Sequence, residues 1–318
     1  MNRRHFLRLS VSAAAVLAAS GCVRSDPLRV GVHSWIGYEP LFLAEEFGWL
    51  HESVRLVKGQ AATDSVAGLL NGELDAAALT LDEVIRVYSE GVPLRVVAVT
   101  DVSVGADMLI VKPGITRLSE LRGRTIGVEL GGVSGILLFS ILEHAGLESH
   151  EVSLVDLPVN RHLDAWQKGE IDASICYEPV ASVLAEAGGS RLFDSSDLPE
   201  TIFDVLAVTD ASARNKPDAV RELVRAHFRG LRHIVRSMHD AVYRIATRQN
   251  IHPDLVRRSL ATIMLPELTA NQRYLANRSQ LETVAVRLTD MLVREGLITR
   301  APEYDRLCDP SFLPRSLP

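Results

Sequence analysis

A near-identical pentapeptide occurs twice in this chain, GELDA at residues 72–76 and GEIDA at residues 169–173. Each follows a short apolar segment with a glycine at its centre: Gly31 and Gly72 are 41 positions apart, and Gly127 and Gly169 are 42 apart. A repeat of that length implies two copies of one strand-loop-helix-helix-strand unit. Leu28, Val30 and Val32 alternate as the first strand of copy one, and residues 125–128 form that of copy two. The pentapeptide reads as a helix ending at Gly, a turn, and a closing strand, at residues 76–79 and 173–176.

Ligands of open α/β sheets collect where strand carboxyl ends face helix amino termini. In copy one that place is Ser34-Trp35-Ile36-Gly37-Tyr38-Glu39, before the helix that Pro40 opens; in copy two it is residues 129–135, ELGGVSG. Beyond each pentapeptide, Thr80, Leu81 and Asp82 align with Tyr177, Glu178 and Pro179. Two such units face to face enclose a cleft. The expected fold is α/β and two-lobed, each lobe a mixed, mostly parallel sheet flanked by helices, with further helices at the C-terminal end.

SWIGYEPLFLAEEFGWL, LLNGELDAA, WQKGEIDAS, LSELRGRTIGV at residues 118–128, and Tyr177-Glu178-Pro179 together resemble the solute-binding proteins of ABC importers for nitrate, sulfonates, taurine and thiamine-precursor pyrimidines. The resemblance covers about residues 28–208. It implies a periplasmic-binding-protein fold of the second topological type, a small molecule held between the lobes, and delivery to a membrane permease and its ATPase. On that reading Ser34, Trp35, Tyr38, Thr80 and Asp82 contact the ligand from lobe one. Ser134, Tyr177 and Glu178 contact it from lobe two, with Asp107 near the cleft floor. A monomer is expected, with neither cofactor nor metal.

Residues 1–21 read as an export signal. Arg3 and Arg4 precede an apolar run too short to span a bilayer. Arg3 to Arg8 resembles the twin-arginine signal, and Ala19-Ser20-Gly21-Cys22 resembles a lipobox whose Cys22 would carry a lipid anchor. The expected location is therefore the periplasm or the outer face of the cell membrane, with residues 22–27 as a linker. Loss of Arg3, Arg4 and Arg8 takes the formal charge from −6 to −9, which argues against nucleic acid or anionic lipid as partner. Cys176 and Cys308 remain; they could pair, but Cys176 reads as a buried apolar thiol.

The chain is expected to cross between lobes at residues 101–107 and again at 210–217. Residues 28–102 plus 213–318 would form lobe one, and residues 103–212 lobe two, with 203–208 as its last strand. Trp166 reads as core, and Thr63 or Asp64 as a helix cap. After residue 217 the apolar periodicity is helical, with Arg221, Arg225, Arg229, Arg232 and Arg236 along a solvated face paired with nearby acids.

Glu39, Asp107, Glu129 and Glu178 are an unusual supply of carboxylates at loop positions. If two or more converge, the ligand carries an amine, amidine or guanidine-like group, because buried carboxylates need a partner. An anion would favour backbone N–H groups near residues 131–134, and an aminosulfonate could use both. No catalytic residue is indicated: the histidines lack metal-ligand spacing and residues 132–135 are no nucleophile elbow. Two alternatives stay open, a receptor feeding a membrane sensor and a thiamine-pyrimidine-synthase-like enzyme. The cysteine-rich signature of the latter is absent around Cys176.

Overall fold

The computed structural model describes residues 26–276, 280–304 and 306–316. Copy one runs β1 (Leu28–Val32), α1 (Glu39–Glu46), β2 (Val54–Lys58), α2 (Ala62–Leu70), β3 (Ala76–Thr80) and α3 (Leu81–Ser89). β4 (Leu94–Ser103) then leads to β5 (Met108–Val111) in the second sheet. Copy two runs β6 (Thr125–Val128), α4 (Ser134–Ala145), β7 (Ser153–Asp156), α5 (His162–Lys168), β8 (Ala173–Cys176), α6 (Val180–Glu186) and β9 (Ser190–Asp194). After β10 (Phe203–Thr209) come α7 (Asp210–Asn215), α8 (Pro217–Arg236), α9 (Met238–Gln249), α10 (Pro253–Leu260), β11 (Ile263–Met264), α11 (Leu268–Tyr274) and α12 (Gln280–Arg294). The expected leader and Cys22 lie outside the described residues.

The two sheets have the orders β11-β4-β10-β3-β1-β2 and β7-β6-β8-β5-β9. The repeat is visible inside them: β2-β1-β3 and β7-β6-β8 are the same parallel trio, each followed by an antiparallel strand. Gly31 pairs with Ala77 in one trio and Gly127 with Ser174 in the other.

The pentapeptide does more than turn the chain. Its Asp staples it to the first strand of its own copy: Asp75 accepts from the Arg29 N–H at 2.9 Å, and Asp172 from the Thr125 N–H at 3.1 Å. Its central aliphatic residue fills the space that the strand glycine leaves. A Cβ on Gly31 would lie 2.6 Å from Leu74, and one on Gly127 would lie 2.9 Å from Ile171. Arg29 and Lys216 further hold the Asp75 carboxyl down to about 2, although burial opposes them.

The two copies are mixed sheets flanked by helices, with the expected C-terminal helices behind. α8 buries Val220, Leu223, Val224, Phe228, Leu231 and Ile234 in one core with Leu41, Phe42 and Leu43 of α1. On its arginine face Arg221 pairs with Asp218 and Arg225 with Glu222 as expected, whereas Arg229 stacks 4.3 Å above the Trp49 ring. Trp166 is buried, and so are Cys176 and Cys308, which are not joined in a disulfide.

One strand is elsewhere than expected. Residues 203–208 do not close the second sheet; β10 inserts between β3 and β4 of the first, antiparallel to both. A short apolar run reports that a strand is buried and carries no record of which sheet does the burying. The return crossing therefore falls at residues 195–202, and residues 210–215 form α7, capped by the Thr209 hydroxyl, which accepts from the Ser212 N–H at 3.1 Å.

Candidate functional site

The carboxyl ends of β1 and β3 and the amino end of the antiparallel β10 meet the start of α4 across a cavity of about 490 Å³, its open mouth included. His33, Trp35, Tyr38, Ala62, Thr80, Glu83 and Asp204 line it from the first sheet's side. Glu129, Gly132, Val133, Ser134 and Tyr177 line it from the second, and Asp107 sits at the crossing between the sheets.

Local structure explains each position. Trp35 follows β1 and donates its indole N–H to Asp101 of β4 at 3.3 Å. Gly37 passes directly over that carboxylate, where a Cβ would fall 1.6 Å from Asp101 Oδ2. Tyr38, fully buried, donates its hydroxyl to Asp204, which faces Thr80 across the β10–β3 ladder. Thr80 ends β3 and starts α3; its N–H donates to Glu83 at 3.0 Å, the reach-back of a capping box. The Thr80 hydroxyl, 7% exposed, makes no hydrogen bond. Asp107 accepts from Ser103 at 2.7 Å, and Ser103 also contacts the Ser195 hydroxyl at 2.7 Å, which joins the two crossings.

Burial is the dominant force on the acids. It pushes Glu83 up to about 8, with the neighbouring Asp82 charge adding to the rise. Asp107 rises to about 6, Asp101 to about 7, and Asp204 well above the usual carboxylate range, all first by burial. Glu129 also rises by burial. His33 is pushed by burial down to about 4 and is neutral at physiological pH. Among the described residues no lysine or arginine lines the cavity. Among the described residues no group of His, Cys, Asp and Glu is arranged to hold a metal ion.

A family model described as the NMT1-like family matches residues 23–248. The chain belongs to the NMT1-like family. The taurine-binding periplasmic protein of Escherichia coli (strain K12) is 25% identical over 172 residues, 53% of either chain, so that match spans about half of each. Among solved structures, the periplasmic aliphatic sulphonate binding protein SsuA from Escherichia coli superposes with a TM-score of 0.76 at 17% identity, over 91% of this chain and 99% of that one. The desulfurization enzyme DSZB superposes with a TM-score of 0.68 at 16% identity, over 91% and 97%. These likenesses establish the periplasmic-binding-protein fold, and the family agrees with the importer-protein resemblance read from the sequence.

In this NMT1-like chain, Trp35, Tyr38, Thr80, Asp107, Ser134 and Tyr177 come together in the cavity as the sequence reading grouped them. Ser34 and Glu178 do not reach it; they line a second cavity of about 420 Å³ beside it. Trp35 borders both cavities and meets Tyr177 edge-on, ring centres 5.4 Å apart, so this pair divides the cleft. Glu178 is occupied at the start of α6, accepting from the Ser182 N–H at 3.1 Å and hydroxyl at 2.9 Å. Asp82 does not line the cavity; it lies 3.6 Å from Arg86, and its successor Glu83 takes the place expected for it. Glu39 is also turned away, bound to Arg248 and Gln249.

Glu83 and Asp204, together with His33 and Ala62, are lining residues that sequence reasoning missed. Thr80 and Glu83 stand at the spacing of a capping box, which marked Glu83 as inward-reaching. Asp204 is a carboxylate inside the apolar strand FDVLAVT, a position that demands a buried purpose.

Proposed function

We propose that this chain is an extracytoplasmic binding protein that captures a small organic solute between its two sheets and presents it to the permease of an ABC importer. The observation that carries this reading is the cavity itself, built from strand ends and a helix start of both copies and lined by polar groups without protein partners. Its lining comes from both sheets and from the crossing between them, which suits a small molecule rather than a peptide. Trp35 and Tyr177 would wall the solute, and Thr80, Asp107 and Ser134 would orient it. Contacts to both sheets favour a closed arrangement, which the permease recognises. Export through residues 1–21 and lipid attachment at Cys22 complete the proposal and locate the protein at the periplasmic face of the membrane. Sulfonate- and taurine-binding relatives, pyrimidines and amine or guanidine compounds define the solutes to test.

An enzyme reading draws less support. Neither described cysteine lines the cavity, and burial pushes the Cys176 thiol up to about 12, far from a reactive thiolate.

Thermal unfolding of the purified chain against taurine, alkanesulfonates, nitrate, pyrimidines, guanidine and small amines tests the function. At a hundredfold excess over its dissociation constant a one-site ligand adds about 2.7 kcal/mol, a shift of several degrees. No shift with any of these solutes contradicts the proposal.

A further inference from the structure

Glu83, Asp107 and Asp204 come from α3, from the crossing after β4 and from β10, and each is at least 97% buried. All three line one cavity. Each accepts a hydrogen bond from a neutral donor: the Thr80 N–H, the Ser103 hydroxyl and the Tyr38 hydroxyl. Among the described residues none of the three is ion-paired; the nearby Arg86 is paired with Asp82 instead. Glu129 adds a fourth carboxyl from the opposite wall. Buried carboxyls without a cation are costly, and structures that keep them supply a partner.

A second observation points to a ligand rather than to a packing accident. The Thr80 hydroxyl, beside Glu83 and opposite Asp204, is nine-tenths buried, lines the same cavity and has no hydrogen-bond partner. The side that could receive an anion is the start of α4, where Gly132, Val133 and Ser134 offer backbone and hydroxyl donors; the nearest cation, Arg86, lies against Gly135, pairs with Asp82 and does not line the cavity.

We infer that the solute carries a protonated nitrogen group, an ammonium, amidinium or guanidinium, seated among Glu83, Asp107 and Asp204, and that simple anions are rejected. This rests on the solute-binding reading above and narrows its ligand class. The fold supplies strand ends and helix starts, and the restriction comes from the three acids placed there.

Isothermal titration calorimetry at neutral pH tests it with matched probes. Taurine is compared with isethionate, in which a hydroxyl replaces the ammonium, and agmatine and guanidinium are compared with nitrate and propanesulfonate. At least one nitrogen-cation probe should bind, and at least about 100-fold tighter than its counterpart lacking the charge. Asp204→Asn should remove that preference, and Glu83→Gln provides the same test should the first variant fold poorly. Equal or tighter binding of isethionate, nitrate or propanesulfonate overturns the inference and leaves the solute-binding function standing. Calcium binding in place of every nitrogen cation also overturns it. Silence of all these probes at millimolar concentration, together with a flat unfolding panel, overturns both.

Discussion

The two walls of the cavity come from copies of one unit, yet they offer opposite chemistry. The first presents buried carboxyls and the Tyr38 hydroxyl; the second presents the start of α4, the Tyr177 ring and a half-buried Glu129. The scaffold beneath them is the same to within a residue, from the Gly31–Ala77 and Gly127–Ser174 pairing to the Asp75 and Asp172 staples. Duplication therefore set where a ligand can sit, and unequal residues at equivalent strand ends set what can sit there. Thr80 against Tyr177 is the clearest case.

Removing the acidic wall breaks that contrast most severely. Asp204→Asn combined with Glu83→Gln should abolish binding of a nitrogen cation, since losing one partner of a buried charge pair costs about 2–5 kcal/mol. Calorimetry showing affinity within tenfold of the native chain would remove the acids from recognition. Next in size, Gly37→Ala should lower stability by about 1–3 kcal/mol through its collision with Asp101, which holds Trp35. Gly132→Ala on the opposite wall, where the Cβ would sit 3.3 Å from a Glu83 oxygen, should cost less in the same unfolding assay.

The shared scaffold predicts a matched pair. Gly31→Ala and Gly127→Ala should each destabilise by about 1–3 kcal/mol, because the pentapeptide's Leu74 or Ile171 occupies the space. Gly31→Ala should be the worse, since it also meets the Ser65 hydroxyl at 2.6 Å. An unchanged midpoint in either denaturation curve would mean that the two copies do not pack alike. The smallest effect belongs to Glu178→Ala. Its carboxylate caps α6, so about 1 kcal/mol of stability should go while ligand affinity stays within threefold.

Much of this was legible in residues alone. Two strand glycines and two pentapeptides at nearly equal spacing announced the paired units, and the aromatic residues at strand ends marked the cavity. What stayed hidden depended on partners distant in sequence. FDVLAVT is a continuous apolar run that could be buried in either sheet, and only the register of Asp204 opposite Thr80 reveals its sheet and its carboxylate's role. Asp82 and Glu83 differ by one step of a helix, about 100° of rotation, which is enough to turn one toward Arg86 and the other into the cavity. Glu178 was placed by its strand-end position, but a carboxylate at a helix start is equally a cap, and here Ser182 claims it.

The most direct test of a buried carboxyl wall awaiting a cation is the pH profile of unfolding for the ligand-free chain. A carboxyl held protonated by burial binds more protons in the folded than in the unfolded state. Stability therefore falls as pH rises between its two values. Buried His33, His162 and His227, whose values are lowered, contribute the opposite slope, but only up to about pH 6.5. Above that, Glu83 at about 8, Asp101 at about 7 and the strongly raised Asp204 remain in their window. The unfolding temperature should fall from about pH 6.5 to about pH 8, and the Asp204→Asn, Glu83→Gln chain should show a flatter line. A native profile that is level or rising over that range would contradict the account.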